Sequence, residues 1–489
     1  MKMIKGDLIG KMFNHQSLWR LGIHGCAFMA LILTACGTTE KVSDDPWNQV
    51  DLILQKINPP TFPDKDFDIT AFGAVADDTT DCFLAIKSAI EKCHAEGGGR
   101  VMVPAGKFLV NGPIYLKSNT NLHISEGAVL RFSTNPKDYL PLVLTRWEGM
   151  ECMNYSALVY AFEEENIAIT GTGTLDGQAS NDNWWKWKGS KAYGWEEGEP
   201  SQLDSLNRPY LSVQNTAEVP ARERVFGEGH YLRPNFIQPY RCKNILIEGV
   251  LIRNSPMWVI NPVLSENITI QKVKVISHGP NSDGCDPEAC NFVLIRDSYF
   301  DTGDDCIALK SGRNQDGRNI GRAIENVVIQ HCEMKDGHGG VVIGSEVSGG
   351  ARNIFAEDCI MDSPNLERAI RVKTNQARGG ILENLFFRNI MVGEVKEAVV
   401  RINMRYTLDG ETDVHVPVIR NMVVKNVTSQ KSELGIKIDG YDAEHPVKDV
   451  IIRNCQFEGV EKGNDIKWAE HLVFENLTIN GKAVTSPLH

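Results

Sequence analysis

Four short polar clusters follow one another between residues 281 and 373. They read Asn281-Ser282-Asp283-Gly284, Gly303-Asp304-Asp305-Cys306, Gly337-His338-Gly339-Gly340 and Arg371-Val372-Lys373. Together they supply three carboxylates, one imidazole and two fixed cations. Carboxylates held close repel, so at least one keeps a proton and can serve as an acid. A proton donor beside a charged carboxylate that activates water is the pair that glycoside hydrolysis needs. His338 beside them would bias which carboxyl holds the proton. Arg371 and Lys373 are two apart, so on a strand they face one side and clamp an anion. Acid, base and anion clamp together point to a uronic acid substrate. Singly, each cluster has a plainer reading. Asp-Gly, Gly-Asp-Asp and Gly-His-Gly are turn chemistry, and Arg-Val-Lys is a solvated strand edge. Grouped carboxylates can also hold a divalent cation. Two cations in the same group oppose that, so neither metal nor cofactor is expected.

The argument therefore rests on what would bring the clusters together. An Asn followed by alternating apolar residues keeps returning. It appears as Asn121-Leu-His-Ile, Asn166-Ile-Ala-Ile, Asn244-Ile-Leu-Ile and Asn267-Ile-Thr-Ile, then at Asn291, Asn326, Asn353, Asn384 and Asn421. Related runs start at Asp449 and His471. From Asn244 the spacing is 22 to 37 residues. The short intervals are one coil, and the excess is loop inserted at a corner. This predicts an all-β, right-handed parallel β-helix whose alternating apolar residues stack inward. Leucine-rich repeats lack this pattern, and propeller blades are longer. Measured from each repeat's Asn, Asp283 lies at 16, Asp304 and Asp305 at 13 and 14, His338 at 12, and Arg371 and Lys373 at 18 and 20. Coils stack about 4.8 Å apart. The clusters should form one column on one face.

Upstream, Phe67–Ala74 reads as a short strand and turn. Asp77-Asp78-Thr79-Thr80 reads as a helix start, with an amphipathic helix over about 80–96 that Gly97-Gly98-Gly99 ends. That helix would cap the open end of the solenoid. Pro46, Pro59, Pro60 and Pro63 mark 37–65 as tether and connector. The stretch 66–489 is read as a single catalytic domain, interrupted by a long insertion at about 177–239. Trp184, Trp185, Trp187 and Trp195 lie in that insertion. They either stack on sugar rings or pack the insertion onto the helix.

Charge bounds the partner. The chain carries a formal net charge of -12. Its first 36 residues hold four basic side chains against one acidic, so the remainder is at -15. Such a surface argues against nucleic acid. An anionic substrate then needs a local basic pocket. Residues 1–36 read as an export signal: a basic stretch, with Met12 an alternative start, precedes the apolar run 21–35. The run ends Leu33-Thr34-Ala35-Cys36-Gly37, which looks like the lipobox of bacterial lipoproteins. That resemblance implies a lipid on Cys36 and an enzyme tethered to the outer membrane by that lipid alone. Export permits disulfides. Cys242, Cys290, Cys306, Cys332, Cys359 and Cys455 fall in or beside apolar runs and read as buried thiols, although Cys285 and Cys290 are close enough in sequence to pair.

The four clusters resemble the signature motifs of the polygalacturonases, glycoside hydrolase family 28. That family usually carries Asn-Thr-Asp in the first and Arg-Ile-Lys in the last, so Ser282 and Val372 depart from it without removing a chemical group. The resemblance runs from about Phe67 to the last repeat. It implies that Asp304 protonates the glycosidic oxygen and that Asp283 and Asp305 activate water, with inversion. It implies that His338 supports the acid, and that Asn281, Arg371, Lys373 and Tyr406 bind galacturonate. The insertion and the Phe72-Gly73-Ala74 start resemble the exo-acting bacterial branch. The expected substrate is a pectic polysaccharide or oligogalacturonide, cut from the non-reducing end. The rivals are an endo-polygalacturonase, a rhamnogalacturonan hydrolase, a calcium-dependent lyase and a non-catalytic glycan-binding β-helix.

Overall fold

The computed structural model describes residues 45–486. Consecutive turns of chain lie on one another as parallel sheets, one along each face of a coil. The register is continuous. Ile245, Ile268, Val293, Val327, Ile354, Leu385, Met422, Val450 and Leu472 pair in that order from coil to coil. Each is buried. These are the alternating apolar residues of the repeat, and their stacking makes the core. This is a parallel β-helix, as the repeat predicts.

The repeating Asn occupies the coil corner. Asn166, Asn244, Asn267, Asn326, Asn353, Asn384 and Asn421 all have φ between 55° and 58°. Asn tolerates that left-handed conformation better than other non-glycine residues. Its side chain also donates to the Asn of the preceding coil: Asn244 to Asn166 Oδ1 at 2.8 Å and Asn384 to Asn353 Oδ1 at 3.0 Å. One repeat is shifted by a residue from the position its Asn predicts. Asn291 pairs with Glu266, so the residue level with Asn267 is Phe292, at φ 56°. The corner residue of this coil is aromatic, and Asn291 precedes it.

The capping helix is present as Phe83–Ala95, which buries Ala85, Ile86, Ala89, Ile90 and Cys93. Its expected start is corrected. Asp77–Asp81 is a strand paired with Gly106–Val110, and the Asp81 carboxylate accepts the Phe83 N–H at 2.9 Å. The connector also needs correction. Asn48–Leu54 forms a helix. Trp47, Val50, Ile53 and Ile57 cover an outward stripe of Leu294, Val328, Phe355 and Phe386. Prolines at 59, 60 and 63 hid an amphipathic turn just before them. Cys36 lies outside the described residues. All ten cysteines after it are free and buried, so Cys285 and Cys290 do not pair.

The insertion is largely irregular, with one α-helix over Arg208–Thr216 and short 3-10 turns at Trp184–Lys188, Lys191–Tyr193 and Ala221–Glu223. Its tryptophans serve packing. Trp184 is buried against Tyr139 and Trp187. Trp185 and Trp195 donate their indole N–H groups to the carbonyls of Ser255 and Glu199. The insertion reaches the chemistry through other side chains.

Candidate active site

Four strands on one face carry the column: β1 (Ile307–Leu309), β2 (Val341–Gly344), β3 (Arg368–Lys373) and β4 (Ala398–Asn403). Cys285 bridges to Ile307, Ile307 pairs with Val341, and Val341 with Ile370. Two residues back along each chain, Asp283, Asp305 and Gly339 are therefore level. Asp304 is level with His338. The three aspartates lie with carboxylate oxygens within 4.8 Å of one another. All eight expected side chains meet here.

Asp305 is the fixed charge of the site. Arg371 Nη1 donates to its Oδ1 at 3.1 Å, and Lys373 Nζ lies 2.6 Å from its Oδ2. Arg371 reaches Asp305 across an intervening coil, and Gly339 is what leaves room. A Cβ there would stand 2.5 Å from Val342 and 3.3 to 3.4 Å from Asp305 Oδ1 and the Arg371 stem. The Tyr406 ring lies beneath both cations, 5.6 Å from the guanidinium carbon and 5.3 Å from the ammonium. Burial opposes the charge on Asp305, but Lys373 and Arg371 outweigh it and hold the carboxyl below its ordinary range.

Asp304 and His338 form a second pair, with His338 Nδ1 2.9 Å from Asp304 Oδ1. Burial again opposes the carboxylate, and the imidazolium outweighs it, so Asp304 is ionised in the free protein. The Asp304 charge in turn lifts His338 to about 9. Asp283 behaves oppositely. Burial, with the charges of Asp304 and Asp305, lifts it to about 7 despite Lys310 at 3.2 Å. Its Oδ1 has no hydrogen-bond partner. A carboxyl poised near neutrality with a free lone pair suits a general base.

Sequence reading missed several groups. Buried Lys310 sits between Asp283, Asp286 and Glu346, at 3.2, 3.9 and 3.3 Å, over the Trp258 ring. A lysine in the apolar run after Cys306 was the available signal. From the insertion, Lys188, Gln202 and Arg208 line a pocket of about 330 Å³ shared with Asn281, Asp283, Asp304 and Lys373. Arg208 binds Glu148 and Asp409, each at 2.7 Å, and Arg313 binds Glu411 at 2.7 Å. The Arg208–Asp409 pair holds the loop after Tyr406 to the insertion, and the Arg313–Glu411 pair holds it to the segment that follows Ile307–Leu309. Nothing in their sequence spacing announces them.

The model of glycosyl hydrolases family 28 matches residues 227–475, just over half of the chain. The chain belongs to glycoside hydrolase family 28. A second model, rhamnogalacturonase A/epimerase, pectate lyase-like, matches 67–124. The chain is 46% identical to the hyperthermoactive exopolygalacturonase from Thermotoga maritima, over 89% of this chain and 96% of that one, with a TM-score of 0.85. It is 27% identical to an exo-poly-alpha-D-galacturonosidase of Dickeya chrysanthemi, over 86% of this chain and 68% of that one. It is 26% identical to an endo-polygalacturonase of Pectobacterium carotovorum, over 78% and 85%. The protein is thus a glycoside hydrolase on a right-handed parallel β-helix.

Proposed function

We propose that the protein hydrolyses α-1,4-galacturonosidic bonds of polygalacturonate, releasing galacturonate from the non-reducing end. The observation that carries this is the column of Asp283, Asp304 and Asp305 beside the Arg371/Lys373 clamp. The exo-acting relative at 46% identity supports the mode, as does the pocket bounded by the insertion and the pinned loop after Tyr406. A walled pocket admits a chain end more readily than a chain middle.

In this reading Asp304 is the acid, and His338 supplies its proton. The two share a 2.9 Å hydrogen bond. Substrate brings a negative charge and excludes water, and both changes favour the neutral carboxyl. The proton then passes from His338 Nδ1 to Asp304 and on to the glycosidic oxygen. Asp283 takes a proton from the attacking water, whose oxygen bonds to the anomeric carbon as the glycosidic bond breaks. Asp305, neutralised by two cations, orients the site rather than sharing the base role expected for it. Asn281, Arg371, Lys373 and Tyr406 hold the sugar.

Inversion is the expected stereochemistry, because water rather than a carboxylate attacks. The carboxyl spacing is shorter than the ~6.5–9.5 Å usual for inverting pairs, so the anomer must be read directly. Proton NMR of the first product should show the β-anomer; the α-anomer would replace Asp283 as base by Asp283 as nucleophile.

The anchor at Cys36 belongs to the same reading: an exported enzyme held at the outer membrane. Its support is the lipobox-like sequence. Labelled palmitate should enter the wild type and not Cys36→Ala; equal labelling would remove the anchor.

A further inference from the structure

The cations at the pocket differ in one respect: whether a carboxylate of the protein answers them. Arg371 and Lys373 are answered by Asp305, Lys310 by Asp283 and Glu346, and Arg208 by Glu148 and Asp409. Lys188 is not. Its ammonium donates to Asn281 Oδ1 at 2.8 Å, and among the described residues no carboxylate oxygen comes within 4 Å of it. An ammonium has three donors, so two remain for a ligand. Arg233 stands behind it. This wholly buried guanidinium donates to Asn281 Oδ1 and Gln202 Oε1 at 2.8 and 2.9 Å, and to the carbonyls of Pro256 and Pro280. All its acceptors are neutral. Two cations therefore converge on one amide oxygen with no carboxylate paired to either; Glu148 and Asp304 act on both from beyond ion-pair distance, and Glu148 is already held by Arg208 and Arg313.

Such an arrangement leaves positive charge in a protein that is otherwise strongly acidic. A buried charge without a partner is unfavourable, and a bound anion removes the penalty. The clamp of Arg371 and Lys373 already has Asp305, so an incoming carboxylate must share it. Lys188 has no carboxylate paired to it within 4 Å, and the Glu148 that acts on it from farther off is engaged by Arg208 and Arg313.

We infer that Lys188, backed by Arg233, is the site for the carboxylate of the uronate ring bound against the insertion. It would be a specificity determinant, selecting an acid over its methyl ester or a neutral sugar at that ring. This rests on the galacturonide reading for the ligand's identity, but its test does not depend on turnover. Asn281 has a second duty here: it spaces the two cations and orients the ammonium.

The test is titration calorimetry, carried out in the Asp304→Asn background so that the ligand is not cleaved, with digalacturonate and with the same disaccharide methyl-esterified at both carboxyls. Turnover of polygalacturonate by the wild type is measured beside it. Lys188→Gln should bind digalacturonate about tenfold more weakly or worse, the usual loss for a charge-assisted hydrogen bond. It should bind the ester as the wild type does. Lys188→Arg, which keeps the charge, should recover most of the loss. Unchanged binding of the acid by Lys188→Gln overturns the inference even if the wild type hydrolyses polygalacturonate. A wild type that binds the acid through Lys188 but releases no product would instead overturn the hydrolase reading and leave this site standing.

Discussion

Asp283 is a carboxyl kept where its charge is disfavoured. Burial lifts it to about 7, whereas in the unfolded chain it would titrate near its ordinary 3.8. The native state therefore binds the extra proton between those values, so this group's contribution to stability is lost as pH rises from about 4 through 7. Asp283→Asn removes that loss. We predict that it abolishes turnover yet melts no lower than the wild type above pH 7; a clearly lower melting temperature would contradict the assignment. His338 has the same pH slope, although its charge is favoured by the fold where that of Asp283 is disfavoured. Its folded value near 9 lies above the ordinary 6.5. Its contribution is complete below about 6.5 and fades through 9. For the free enzyme, kcat/KM should rise through about pH 7 as Asp283 ionises and fall near 9 as His338 loses its proton. In His338→Gln the alkaline limb should vanish along with most activity. A profile in His338→Gln that keeps that limb would assign it elsewhere. Asp304→Asn should lower kcat about 100-fold or more while digalacturonate still binds. Unchanged turnover would remove Asp304 from the chemistry.

Among the elements, the N-terminal helix Asn48–Leu54 is the one whose role differs most from expectation. Trp47 packs edge-on to Phe355 with ring centroids 5.4 Å apart, and Arg388 lies 3.9 Å over its ring. Truncating a buried Trp ordinarily loses about 3–5 kcal/mol. Trp47→Ala should lower unfolding stability by roughly 3 kcal/mol in urea melts, with kcat unchanged, because the stripe it covers is on another face. An unaltered melt would show that the segment is a tether after all. The column itself was legible because each cluster follows a repeat whose period is written in apolar residues, and the coil spacing does the rest. Phe292 shows where that legibility stops. The corner is a backbone conformation, and an aromatic residue there gives no sign of it beside Asn291. The insertion was opaque for another reason. Its tryptophans advertised sugar stacking but had a core to fill, while Lys188 and Arg208 reach the site through contacts distant in sequence.

For the whole molecule, the distribution of charge sets what can enter. The acidic chain concentrates Lys188, Arg233, Arg371 and Lys373 about one cluster of aspartates. An anionic oligosaccharide should bind less tightly as salt rises, because the attraction acts over screened distances outside the pocket. The loop after Tyr406 and the insertion, joined through Arg208 and Asp409, both line that pocket. This is the structural basis of the exo reading, and the products decide it. The most direct measurement is chromatography of polygalacturonate digests from the first minutes, with absorbance followed in the ultraviolet. The account predicts galacturonate monomer alone at every time and no rise in absorbance. A ladder of oligomers would contradict release from the chain end, and an unsaturated product lost on adding chelator would contradict hydrolysis itself.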